Sequence, residues 1–210
     1  MLNDFQATLY SDAITFIQGL IHFGSLPDIW TQGEVGEKDL EAYQNDYRVP
    51  FQILKIIRSG VKELLAPYSS ECTRLGLRQV YGGHDKKNPD LLDEMLRNKH
   101  IKDRTIVFVD DMLKNLRGIL PPEGVSLKKE YPSSNLSIPK IELYHICRDP
   151  KVHINYGQTT DGIKTIRNLR EITDFSDRVF FLDFDRTLMD TDYMKLLWVE
   201  ELARLLQLKR

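Results

Sequence analysis

The most constraining feature of this chain is a pair of strand-like runs that lack alternation, "RTIVFVDD" at 104–111 and "RVFFLDFD" at 178–185. A strand with one wet face alternates apolar and polar residues. An unbroken apolar run must be buried on both faces, as in a parallel sheet lying between layers of helix. "IELYHIC" at 141–147 has similar character. Both of the first two runs end in acids, so carboxylates are delivered to strand ends.

Between these runs the spacing turns helical. Phe5, Leu9, Ala13, Phe16, Ile17 and Leu20 predict an amphipathic helix over 4–23 with Gly24 as its stop. "PFQILKIIRSGVKELLAP" reads as a helix punctuated by Gly60 and Pro67, "NPDLLDEMLRNK" as a helix start with Pro and Asp in its first turn, and "YMKLLWVEELARLL" as a further helix. "LPDIWTQGE" and "LRQVYGG" read as short strands, and the Pro- and Ser-rich stretch 121–139 as a surface loop. Strands alternating with helices predict an α/β fold, a doubly wound (Rossmann-like) parallel sheet sandwiched between helices. At 210 residues a single core spanning 1–210 is expected. Ligands of such a fold gather at the carboxyl ends of its strands.

Charge supplies no competing explanation. Lys and Arg total 29 against 31 Asp and Glu, for a net charge of −2, so neither nucleic acid nor a membrane surface is expected as a partner. Two cysteines, Cys72 and Cys147, form neither a disulfide framework nor a zinc spacing. The first residues lack the pattern of a signal peptide, and a cytoplasmic protein is the expectation.

The polar residues that follow the strands are Thr31 after "DIW", Lys86 and Lys87 after "QVY", Asp110 and Asp111 after "IVFV", and Asp183, Asp185 and Thr187 around "VFFLDFD". Taken singly each has a plain reading: a solvated lysine pair, a strand-end hydroxyl, a cap, a turn. Taken together they converge if the strands lie side by side. Two like charges 4 Å apart repel by about 4 kcal/mol at an effective dielectric near 20, so such a gathering calls for a divalent cation. An all-oxygen set selects Mg²⁺ over zinc. The lysine and threonine then call for an anionic ligand, which a phosphoryl group satisfies. His145, Cys147 and His153 straddle a strand and a loop and are not read as a metal cluster; His84 is a candidate substrate contact, and Trp30 and Trp198 are read as packing.

This set resembles the four motifs of the haloacid dehalogenase-like hydrolase superfamily, mostly Mg²⁺-dependent phosphatases. "DFDRTL" resembles the first motif, "IWTQGE" the second, "KKNPDLLDEML" the third and "VFVDDMLKNL" the fourth. The resemblance implies that Asp183 is a nucleophile forming an aspartyl-phosphate, and that Asp185 is the acid/base. It implies that Thr31 hydrogen-bonds a phosphoryl oxygen, that Lys86 (with Lys87 the runner-up) supplies the cation, and that Thr187 braces the loop. Mg²⁺ would be held by Asp183, Asp185 through its carbonyl, Asp110 and Asp111, with Asn115 in support. The substrate would be a small phosphorylated molecule.

The chain departs from the family in order. The nucleophile strand, 178–187, comes last instead of first. A circular permutation that completes one core, with "GIKTIRNLREITDFSD" at 162–177 leading as a connection to the nucleophile strand, is the favoured reading, ahead of a fragment of a tandem protein and of two chains exchanging this strand. The helix in 188–210 is then a small cap or lid at most. The rival from another class is a phosphorylatable or non-catalytic regulatory module, from which the second carboxylate, Asp185, is the discriminator.

Overall fold

A computed structural model describes residues 8–25, 27–31, 55–56, 58–61, 64, 80–81, 104–119, 140–149, 151 and 156–207. In chain order these hold α1 (Ser11–His22), β1 (Asp28–Trp30), β2 (Val80–Tyr81), β3 (Thr105–Asp110), α2 (Leu113–Ile119), β4 (Ile141–Ile146), β5 (Thr159–Thr160), β6 (Ile163–Ile166), a 3-10 turn (Leu169–Glu171), β7 (Arg178–Leu182) and α3 (Thr191–Gln207). The expected helix at "NPDLLDEMLRNK" and the loop 121–139 lie outside the described residues.

The strands form one sheet in the order β2-β1-β7-β3-β4-β6-β5, parallel throughout except that β5 runs antiparallel to β6. The last strand in sequence is thus interior in space. β7 pairs with β1 through Asp28 and Ile29, and with β3 from Thr105↔Arg178 to Val109↔Leu182, all within one chain. This is a mostly parallel α/β sheet, as the unbroken apolar runs require. Along β3 and β7 alternate residues enter opposite cores: Val107, Val109, Phe180 and Leu182 meet Ala13, Phe16, Ile17 and Leu20 of α1, whereas Ile106, Phe108, Val179 and Phe181 meet Leu116 and Ile119 of α2 together with Trp30. Trp30 is therefore core, as read from the sequence. The side chain of Trp198 lies outside the described residues. Among the described residues no helix is long and apolar enough to cross a membrane.

Two local expectations are corrected. Helix α1 begins at Ser11, later than the spacing predicted, because residues 8–10 pair elsewhere: Leu9 bridges Met189, Tyr10 N donates to Leu188 O at 2.9 Å, and Thr8 O accepts from Asp190 N at 2.9 Å. These bonds tie the segment ahead of α1 to the segment that follows β7. Gly24 does end the helix region, in a left-handed conformation with φ 68°. The stretch from 162 onward, read as a connection to the last strand, contains a strand of its own. β5 and β6 form a hairpin turned by Asp161 and Gly162, both at positive φ (51° and 75°), which is the Asp-Gly pattern of a two-residue turn.

The amino ends of β4 and β7 are joined by charge. Arg178 donates to Glu142 and, at 2.5 Å, to Asp174, and Lys140 lies 2.7 Å from Glu142. Burial pushes the Glu142 carboxyl up, but the hydrogen bonds from Lys140 and Arg178 outweigh it and leave it below its ordinary value. With the folded-state value depressed, the unfolded chain takes up more protons in acid. The stabilisation is present above the ordinary carboxylate range and is lost as pH falls through it. Methionine at Arg178 is expected to cost about 1–3 kcal/mol at neutral pH and to flatten the fall in melting temperature below about pH 5; thermal melts across that range check both.

Candidate functional site

The carboxyl ends of two adjacent interior strands, β3 and β7, meet at one point. Asp183 follows β7 directly, and its backbone N donates to Val109 O at 2.9 Å, which sets it beside Asp110 at the end of β3. One carboxylate oxygen from each of Asp110, Asp111 and Asp183 lies within 4.8 Å of the others. Asp110 is fully buried, Asp183 nearly so, and Asp111 half-buried.

Local hydrogen bonds aim this set. Asp110 Oδ1 accepts from Met112 N at 2.7 Å, an aspartate turn that carries the chain from strand into α2. Asn115, buried one turn into that helix, donates its side-chain amide to both oxygens of Asp110 at 3.1 Å. His145, level with Asp110 on β4, stands 3.1 Å from Asp111 O through Nε2, which therefore carries the proton. Burial pushes its imidazole below the ordinary value, against the Asp111 hydrogen bond and the Asp110 charge. Its Nδ1 is buried without a hydrogen-bond partner among the described residues.

The loop after Asp183 turns sharply. Asp185 bridges Met189, Leu188 N and Met189 N both donate to Phe184 O (3.1 and 2.9 Å), and Arg186 sits in the left-handed region at φ 58°. Such a conformation costs a non-glycine residue on the order of 1 kcal/mol, which surrounding bonds must offset. Arg148 provides several of them. Its guanidinium donates to Thr187 O at 2.7 Å, to Arg186 O at 3.1 Å and to Asp12 at 2.9 Å, while stacking 3.9 Å from the Tyr10 ring. Burial, with help from the Asp190 charge, pushes the Tyr10 phenol up to about 12. Thr187 was expected to brace this loop, yet its buried hydroxyl has no partner among the described residues; the bracing comes through its carbonyl.

Asp185 stands apart from the other acids. Both of its oxygens face Lys55 Nζ, at 2.5 and 2.6 Å, and Oδ1 also accepts from Thr191 Oγ1 at 2.7 Å. Lys55 stands away from the strand ends and is not among the site residues expected from the sequence. It lies on helical backbone inside the apolar run "ILKII", and a lysine so placed is buried only when paired, which was the available signal. Thr31 follows β1 at the same end of the sheet and is buried. Lys86, Lys87 and His84 lie outside the described residues, as does His153. His145 and Cys147 do not belong to the gathered ligand set.

Three carboxylates at this spacing repel one another by about 3 kcal/mol per pair at an effective dielectric near 20. As hard oxygen donors they fit a divalent cation of the Mg²⁺ type, which would offset that repulsion. No family model matches the chain, and no curated protein or solved structure matches it.

Proposed function

We propose that this chain is a Mg²⁺-dependent phosphomonoester hydrolase of the haloacid dehalogenase-like kind. Its core would be a doubly wound, Rossmann-like sheet whose chain order is permuted, and its substrate a small phosphorylated molecule in the cytoplasm. The observation that carries the reading is the meeting of Asp183 with Asp110 and Asp111 on adjacent strand ends, although Asp183 comes 72 positions after Asp111 in sequence.

In this reading a carboxylate oxygen of Asp183 attacks phosphorus while the ester P–O bond breaks, and Asp185 gives a proton to the departing oxygen. Water then attacks the aspartyl-phosphate, Asp185 takes the water's proton, and the bond from phosphorus to the Asp183 oxygen breaks to release phosphate. Asp183, Asp110, Asp111 and the carbonyl of Asp185 would hold Mg²⁺, which supplies charge neutralisation as phosphate approaches the acids. Thr31 hydrogen-bonds a phosphoryl oxygen, and Lys86 balances phosphoryl charge.

A second reading, a phosphorylatable regulatory module, is favoured by one observation: both oxygens of Asp185 are engaged by Lys55. Hydrolysis of an aryl phosphate decides between them. Turnover is expected with Mg²⁺, to fall by about 10²-fold or more on chelation, since several kcal/mol of charge stabilisation goes with the ion, and to return when Mg²⁺ is restored. Bound metal without turnover favours the regulatory module.

A further inference from the structure

We infer that Lys55 is a positioning residue that, with Thr191, holds the Asp185 carboxylate out of the cation cluster and so keeps it as the base that takes the proton of the attacking water. This rests on the hydrolase reading above. Four acids, Asp110, Asp111, Asp183 and Asp185, stand at the ends of two adjacent strands, yet the gathered ligand set contains three of them. The fourth is turned to Lys55 and to Thr191, the first residue of α3.

The lysine is built for this contact. Its side chain is 7% exposed, and Ile56 and Val61, close to it in sequence, are buried in the same core as the apolar residues of α1. An ammonium so deeply buried requires a counter-anion, and a carboxylate beside a divalent cation is drawn towards that cation unless something else holds it. Lys55 and Asp185 answer both requirements at once. A fourth carboxylate on the ion would leave no base to take the proton of the attacking water and would fill a position that phosphate needs.

Charge and tether make the consequences opposite in sign for binding and for turnover. Lys55→Met removes a positive charge near the cluster and frees Asp185 to join it. Cation affinity, read by Mn²⁺ titration in electron paramagnetic resonance and by Mg²⁺ calorimetry, is expected to rise on the order of tenfold. The kcat for an aryl phosphate is expected to fall about 10²-fold, with little change in KM. Asp185→Asn added to Lys55→Met removes the extra ligand, and cation affinity is expected to return to within about threefold of wild type. General damage to the fold would lower affinity and turnover together.

If Lys55→Met does not fold, Thr191→Val carries the test, because it is nearly isosteric and removes only the second hold on Asp185; the same two signs are expected, at about threefold each. Affinity that rises while kcat falls supports the inference. Affinity that falls, or that stays level with kcat unchanged, overturns it. A wild-type protein that binds no divalent cation or hydrolyses no phosphomonoester fails the hydrolase reading instead, and does so before any variant is made.

Discussion

Asparagine in place of Asp183 is expected to leave the protein folded and to reduce phosphomonoester hydrolysis by about 10⁴-fold or more, the scale on which enzymes lose activity with their nucleophile. The substitution keeps side-chain size at a position that is 5% exposed, and the backbone bond from residue 183 to Val109 O is untouched. What changes is that an amide cannot attack phosphorus. Loss of one of three gathered carboxylates should also weaken cation binding, by roughly tenfold. Circular dichroism and thermal melts check the fold, and kcat at saturating Mg²⁺ checks the chemistry. Activity within tenfold of wild type would remove Asp183 from the nucleophile's role.

The largest effect on stability is expected at Phe181. It is fully buried at the centre of the second core, stacked on Phe108 at 5.1 Å between centroids, with Trp30 edge-on to Phe108 at 4.9 Å. Phe181→Ala should cost about 3–5 kcal/mol, measured by urea denaturation. Leu206→Ala, on an α3 residue that is 60% exposed, serves as the control and should change stability by less than about 0.5 kcal/mol. The contrast reports whether β7 is an integral interior strand despite its place near the end of the chain. A segment merely resting against a finished sheet would lose about 1 kcal/mol or less at Phe181.

Much of the sheet was legible because burial on both faces forces a pattern that little else produces. The runs ending at Asp110 and at Asp183 lie next to each other as interior strands, and their acids meet. The β5–β6 hairpin has a trace in "TTDGIK", but its Asp-Gly turn straddles the start of the stretch 162–177 that reads as a connection. Other features leave little local trace. The start of α1 depends on bonds from residues 8–10 to residues 188–190, and local periodicity says nothing about a partner so distant. Arg186 carries no sign in its side chain of the left-handed backbone beneath it. The pairing of Lys55 with Asp185 spans 130 positions, and only the folded sheet brings the two together. Lys86 and Lys87, the sequence candidates for the phosphate-facing cation, lie outside the described residues, so that assignment rests on the motif resemblance alone.

The most direct test of the central claim is to find the phosphoryl group on the protein. An Asp185→Asn chain, which lacks the base for the second step, is mixed with Mg²⁺ and an activated aryl phosphate, quenched in acid, digested and read by tandem mass spectrometry. The account predicts one phosphoryl group, on the carboxylate of Asp183, and none when Asp183→Asn is added. Phosphate on a different residue, or aryl phosphate turnover that persists in the double variant, would contradict it.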